Sequence, residues 1–174
     1  MDKYALIEDR VEDLFDYCQE TGILIWKRRS NSPNPMYEKR WNARNAGKTA
    51  GYVNGKGYVM LQIDKVNYLA HRIIWRMVTG SWPLSEIDHI NLVRHDNRWS
   101  NLREATTVQN GWNKRRRVSK FGLPPGVARN RSKFSAKLWS DGKWKCLGTF
   151  ETPSEAGEVY IRAAKAQRGE FYRL

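Results

Sequence analysis

The run Ile87-Asp88-His89-Ile90-Asn91-Leu92-Val93-Arg94-His95-Asp96-Asn97-Arg98-Trp99-Ser100-Asn101-Leu102-Arg103-Glu104-Ala105-Thr106-Thr107-Val108-Gln109-Asn110 sets out four elements in order. Ile87 to Ile90 reads as a short extended segment. The Asn-, Asp- and Arg-rich stretch after it reads as a structured loop, and Leu102 to Ala105 as a returning strand. Thr106-Thr107-Val108-Gln109 fits a capping box, so a helix is expected to begin there with Asn110 on its first turn. Strand, loop, strand and helix would gather Asp88, His89 and Asn110 at one end of a compact unit. A carboxylate and an amide carbonyl are hard oxygen donors suited to Mg²⁺ or Mn²⁺. Beside them, an imidazole with an ordinary pKa near 6.5 suits removal of a proton from water.

Upstream, Leu6, Val11, Leu14, Phe15 and Cys18 recur at helical spacing, and the expectation is a helix over 6–18 ended by Gly22. Ile23 to Trp26 reads as a strand, and 29–57, rich in Ser, Asn, Pro and Gly, as a long loop with short extended pieces. Tyr58 to Ile63 and Val66 to Leu69 form an expected hairpin turned at Asp64-Lys65. The face Leu69, Ile73, Ile74, Met77 and Val78 then predicts a helix stopping at Gly80.

Composition narrows the function classes. The 174 residues carry 31 Lys+Arg against 18 Asp+Glu, a net +13, which points to a polyanionic partner. Two isolated cysteines, Cys18 and Cys146, exclude a disulfide framework and a Cys-rich structural zinc site, and suit a reducing compartment. No stretch approaches the roughly 20 apolar residues of a membrane span, and the acidic start does not resemble a secretory signal. We therefore expect a cytoplasmic protein with no membrane partner. Charge is also uneven: residues 114–174 hold 15 Lys+Arg and 5 Asp+Glu, whereas 1–113 hold 16 and 13. With Pro124-Pro125 and flanking glycines unable to continue a helix, this suggests modules at 1–115 and 126–174 joined by a basic linker at 116–125.

In the second module, segments at 126–130, 133–139 and 143–150 read as three antiparallel strands, with Ser140-Asp141-Gly142 as a tight turn. Thr152-Pro153-Ser154-Glu155 starts a helix that runs to Gly169. Alternation assigns Phe134, Ala136, Leu138 and, opposite, Cys146, Gly148, Phe150 or their neighbours to the face under that helix. The other face is then basic and aromatic. Arg129, Arg131, Lys133, Lys137, Trp139, Lys143, Trp144 and Lys145 are its candidate DNA contacts, joined by Lys114, Arg115 and Arg116 of the junction.

Asp88-His89, Asn101-Leu102-Arg103 and Asn110, with Asn101 twelve residues after His89 and Asn110 nine after that, resemble the His-Asn-His (HNH, ββα-metal) nuclease motif of phage and intron-encoded homing endonucleases. Gly57-Tyr58 and Ala70-His71-Arg72 extend the resemblance upstream. It implies an α+β fold in which a ββα-metal module is followed by the small three-stranded sheet and its helix. It also implies metal-dependent hydrolysis of double-stranded DNA by one Mg²⁺ or Mn²⁺ ion, by a phage-encoded protein acting in host cytoplasm. His89 would activate water, Asp88 and Asn110 would hold the ion, and Asn101 would brace the loop that orients His89. Asn113, one turn on, could share Asn110's role, and Arg72 and Arg103 could contact phosphate. One active site per chain suits a monomer or weak dimer. Gly126-Val127, Leu147-Gly148-Thr149-Phe150, Glu155-Ala156, Ala163-Ala164 and Gly169-Glu170-Phe171 resemble the ethylene-response (APETALA-type) DNA-binding domain, in which Arg and Trp on the sheet read the major groove. The alternative is a sequence-specific DNA-binding regulator with an inactive nuclease fold.

Overall fold

A computed structural model describes residues 3–30, 32–114 and 121–173. Its contacts divide the chain into two compact units, Met1–Thr107 and Val108–Leu174. Arg115, Arg116 and the first half of the expected linker, 116–120, lie outside the described residues. The architecture mixes helices with small antiparallel sheets. No helix among the described residues is long and apolar enough to cross a membrane.

The first unit opens with a 3-10 segment, Lys3–Arg10, and one turn of helix, α1 (Val11–Leu14). The single helix expected over 6–18 is therefore corrected: β1 (Phe15–Cys18) turns through Gly22, at φ 74°, and pairs with β2 (Ile23–Trp26). A ready antiparallel partner across a four-residue turn outweighs helical spacing in so aromatic a run. The expected loop over 29–57 is corrected too, because it contains α2 (Pro35–Asn45) and a short strand, β3 (Tyr52–Val53). The α2 helix starts on its cap: the Asn34 side chain accepts from the Tyr37 amide, and Pro35 supplies a preset φ at the first position.

β4 (Val59–Ile63) and β5 (Val66–Leu69) form the expected hairpin, with Asp64 and Lys65 both at positive φ as a two-residue turn matched to strand twist demands. α3 (Ala70–Thr79) follows directly and ends on Gly80 in the left-handed conformation. It buries Ala70, His71, Ile73 and Ile74 against a core that includes Val11, Leu14, Phe15, Leu24, Leu61, Ile63 and Tyr68. At about 25 cal/mol per Å² of apolar surface, this shared core is the main stabiliser of the unit and the platform under its last hairpin. That hairpin is β6 (Glu86–His89) paired with β7 (Leu102–Ala105), anchored by Ile87 and Leu102. α4 (Thr107–Trp112) comes next in the chain.

The second unit has three antiparallel strands, β8 (Val127–Asn130), β9 (Lys133–Ser140) and β10 (Lys143–Phe150), with β9 central, followed by α5 (Pro153–Arg168). Thr152 and Glu155 complete a reciprocal capping box. Ala156 and Ala164 let α5 lie close over Ala136 and Leu138, with Tyr160 filling the remaining space. Gly126 is required there: at φ 73°, a Cβ would meet the Tyr160 ring at 2.0 Å. A bulge between Cys146 and Gly148 shifts the β9–β10 register. It decides among the residues and neighbours expected on the inner face: Gly148 and Phe150 stand opposite Ala136 and Phe134, Leu147 packs into the cluster, and Cys146 is exposed.

Candidate active site

The β6–β7 ladder positions the chemistry. Asp88 stands opposite Arg103, and His89 opposite Leu102. Directly opposed residues share one face of a sheet, so the Asp88 carboxylate meets the Arg103 guanidinium: Nη2 and Nε lie 2.8 and 2.9 Å from Oδ2. Both side chains are nearly inaccessible, which makes this a desolvated ion pair that is costly to break from one side.

His89 follows at the end of the strand and is buried. Its Nε2 lies 3.0 Å from Oδ1 of Asn97, which is also buried. An amide oxygen only accepts, so Nε2 carries the proton and donates, which puts the imidazole lone pair on Nδ1. Burial pulls the His89 pKa below its ordinary value; the Asn97 bond and the Asp88 charge oppose that shift.

The loop between the strands is held by its own polar groups. The Ile90 amide donates to the Asn101 carbonyl, and the Asn91 amide to Asn101 Oδ1. Asn101 Nδ2 in turn donates to the Asp96 carbonyl at 2.7 Å. Leu92 takes a positive φ of 66°, a conformation costly for a branched side chain, where its amide closes a turn onto the His89 carbonyl. Asp96 accepts from Asn91 and chelates Arg98 through Nε and Nη2. Those bonds, chiefly the one from Arg98, hold its carboxyl at about 2.

The β1–β2 hairpin braces this loop from outside. The Tyr17 hydroxyl donates to the Asn97 carbonyl at 2.8 Å, and the Trp99 amide donates to Gln19 O. A Cβ on Gly22 would sit 2.4 Å from the Arg98 nitrogen and 2.5 Å from the Asn97 carbonyl carbon. From the other side, the ring of His71 meets His89 edge to face at 5.1 Å, and Tyr58 stands 5.4 and 6.0 Å from the two imidazoles. Burial, with lesser help from His89 and Arg72, depresses His71 to about 3 and keeps it neutral. Its Nδ1 is buried without a hydrogen-bond partner among the described residues. Arg94 covers the Tyr58 ring at 4.9 Å and donates to the Lys56 carbonyl.

Of the candidates singled out in the sequence, Asp88, His89, Asn101 and Arg103 come together here. The Arg72 guanidinium is committed to the Ser85 and Pro83 carbonyls and the face of Tyr4, tying α3 to the approach of β6. Asn110 and Asn113 lie in the second unit, with exposed Lys114 next in the chain. Sequence reasoning missed Asn97 as the partner of His89. The only available signal was an Asn- and Asp-rich loop whose polar groups had to satisfy one another, and that signal does not say which one reaches the imidazole.

In the second unit, Arg129, Arg131, Lys133, Lys137, Trp139, Lys143, Trp144 and Lys145 are all exposed. The register divides them. Trp139 faces Trp144, and Lys137 faces Cys146, so Lys137, Trp139 and Trp144 share the outward face, where the two indoles meet edge to face at 5.3 Å. The expected single basic face is thus corrected. Arg129 stands opposite Phe134 and Lys145 opposite Leu138, on the parity of the helix-covered side, exposed near the sheet's ends. Lys145 and Lys133 are ion-paired with Asp141 and Glu151.

A divalent ion fits the donor chemistry of the first unit in one form only. No group of three His, Cys, Asp or Glu among the described residues could hold a metal, so the ion would rest on one carboxylate, Asp88, with neutral oxygens, waters and substrate phosphate as its other ligands. That donor set is hard and incomplete, as Mg²⁺ tolerates. No curated protein and no solved structure matches the chain. Residues 68–112, which carry β6, the loop, β7 and α4, match the family described as HNH endonuclease, and the match supports a nuclease that acts on DNA.

Proposed function

We propose that the protein is a metal-dependent DNA endonuclease of the homing type, in which His89 is the general base. The observation that carries this reading is the His89–Asn97 bond: a buried imidazole held by its Nε2 proton directs its basic nitrogen elsewhere, as proton removal from water requires. In the proposed reaction, Nδ1 takes a proton from water as the water oxygen attacks phosphorus. The P–O3′ bond breaks and its electron pair leaves on O3′, which takes a proton from solvent water, giving 5′-phosphate and 3′-hydroxyl ends. Asp88 would hold a divalent ion, which when bound would supply positive charge where negative charge develops on the substrate. On motif spacing alone, Asn110 would be a further oxygen ligand. Asn101 holds the loop through both the oxygen and the nitrogen of its amide, and Arg103 sets a counter-charge against the buried Asp88 carboxylate.

The second unit supplies affinity for double-stranded DNA in this reading. Its support is the exposed Trp139–Trp144 pair with Lys137 on the outward sheet face and the resemblance to the APETALA-type domain. A second reading, DNA binding without cleavage, is favoured by the Arg103 guanidinium already occupying Asp88. Incubating supercoiled plasmid with the wild type and with His89→Ala, in Mg²⁺, Mn²⁺ or chelator, decides between them. Metal-dependent breaks that vanish in the variant support the nuclease. Tight binding with no cleavage by either protein supports the regulator.

A further inference from the structure

We infer that α2 and the strand-end residues beside it form a second duplex-DNA surface, on the nuclease unit itself, gripping the phosphate backbone next to the cleavage site. The inference rests on DNA being the substrate and goes beyond it by assigning a surface outside both the motif and the C-terminal sheet.

Charge is the first observation. Residues 27–48 carry seven Lys+Arg and one Asp+Glu, net +6, whereas residues 1–107 as a whole carry sixteen and thirteen, net +3. The remainder of the unit is therefore net −3, and this one segment is the source of its positive charge. Arg28, Lys39, Arg40, Arg44 and Lys48 are all exposed, and none makes an ion pair among the described residues.

Packing is the second. α2 faces inward at Glu38, Trp41, Asn42 and Asn45 only, and Asn42 is its sole buried residue. Asn42 is fixed by a pair of bonds to the backbone of Arg29, while Trp41 lies edge-on to Trp26 and under the Arg29 guanidinium at 3.8 Å. Such a helix is held rigidly yet offers a bare outward face. That face presents Lys39, Arg40 and Arg44 together with Met36 and Tyr37, 62% and 54% exposed. Large apolar side chains set among unpaired cations are wasteful on a merely solvated surface and suit contact with sugar and phosphate.

Position is the third. α2 is tied to the far end of β2, where Trp26 exchanges backbone bonds with Gly47 and Lys48. The near end of the same hairpin abuts Asn97 and Arg98 of the active loop. Four strand residues separate the two ends, roughly 10 Å at 3.3 Å per residue, a distance of a few phosphates along a duplex.

The test is salt-dependent binding of the full chain to duplex DNA and, in parallel, to single-stranded RNA of the same length. The variants are a triple, Lys39→Gln, Arg40→Gln and Arg44→Gln, a separate Ala43→Glu that adds an opposing charge to the same face, and Lys65→Gln as a cation outside the segment. Each cation that neutralises a phosphate contributes about 0.9 to the slope of log K against log salt, so the triple should flatten the duplex slope by nearly 3. Ala43→Glu should weaken duplex binding at least tenfold at low salt, and Lys65→Gln should change little. Unchanged duplex slopes in both patch variants, with wild-type binding intact, overturn the α2 surface and leave the nuclease reading standing. A loss confined to RNA overturns it in favour of an RNA surface. A wild type that binds no duplex at all overturns both.

Discussion

Oδ1 of Asn97 lies 3.0 Å from Nε2 of His89, and the Asn97 backbone carbonyl is held in turn by the hydroxyl of Tyr17. One residue thus carries the orientation of the imidazole to the wall of the unit. Removing the side-chain oxygen while keeping the backbone bond separates these roles. Asn97→Ala should lower kcat about 100-fold, within the range that a positioned base contributes, while KM and DNA affinity stay near wild type. Equal loss of binding and turnover in single-turnover assays would assign Asn97 to folding instead.

The Asp88–Arg103 pair gives a stability prediction. Arg103→Ala removes the guanidinium that stands against a buried carboxylate, at a cost of about 3 kcal/mol. Added Mg²⁺ should recover more of the melting temperature in this variant than in the wild type, because the ion then restores lost charge balance. Equal Mg²⁺ responses in a calorimetric scan count against Asp88 as a ligand.

Acid should loosen the first unit earlier than its carboxylates alone require. His71 is depressed to about 3 by burial, so the folded state refuses a proton that the unfolded chain takes up below 6.5. Stability from this group is complete above pH 6.5 and falls as pH drops, by about 2 kcal/mol at pH 5. Asp96, held at about 2 largely by Arg98, adds its own loss only below about 4. His71→Phe keeps an aromatic edge against His89 and removes the titration. Its urea midpoint should move less between pH 7 and pH 5 than the wild-type midpoint, and parallel shifts would contradict the assignment.

On the second unit, Trp139 and Trp144 are 49% and 65% exposed and pack on each other, so either can be removed without opening a cavity. Trp144→Ala should weaken duplex binding by about tenfold and leave the thermal midpoint within a degree or two. Retained affinity would move the contact to the strand-end cations instead.

Where local rules and tertiary packing agreed, the chain was readable. The Asp64-Lys65 and Asp141-Gly142 turns, the α3 stop at Gly80 and the β6 and β7 segments all follow from turn residues and alternation. The 6–18 segment misled because Phe15 and Cys18 fit a helix stripe as well as a strand, and only the partner Ile23–Trp26 decides between them. α2 was hidden because it buries one polar residue and so has no apolar period; its Asn34-Pro35 start was the sole local sign. The bulge at Leu147 could not be read from alternation, which it breaks. In the site, the Asp88-His89 and Asn101 positions carry a motif, whereas the role of Asn97 depends on which of several amides the folded loop turns inward.

Gly22 has no functional group, yet its missing Cβ is what allows the first hairpin to touch the loop backbone at Asn97 and Arg98. The seat of the His89 imidazole is therefore machined, in part, by a turn 67 positions away in the chain. A lesion at Gly22 would strain its turn and displace the Asn97–Arg98 backbone, so a screen for inactive variants should find it although every reactive group is intact.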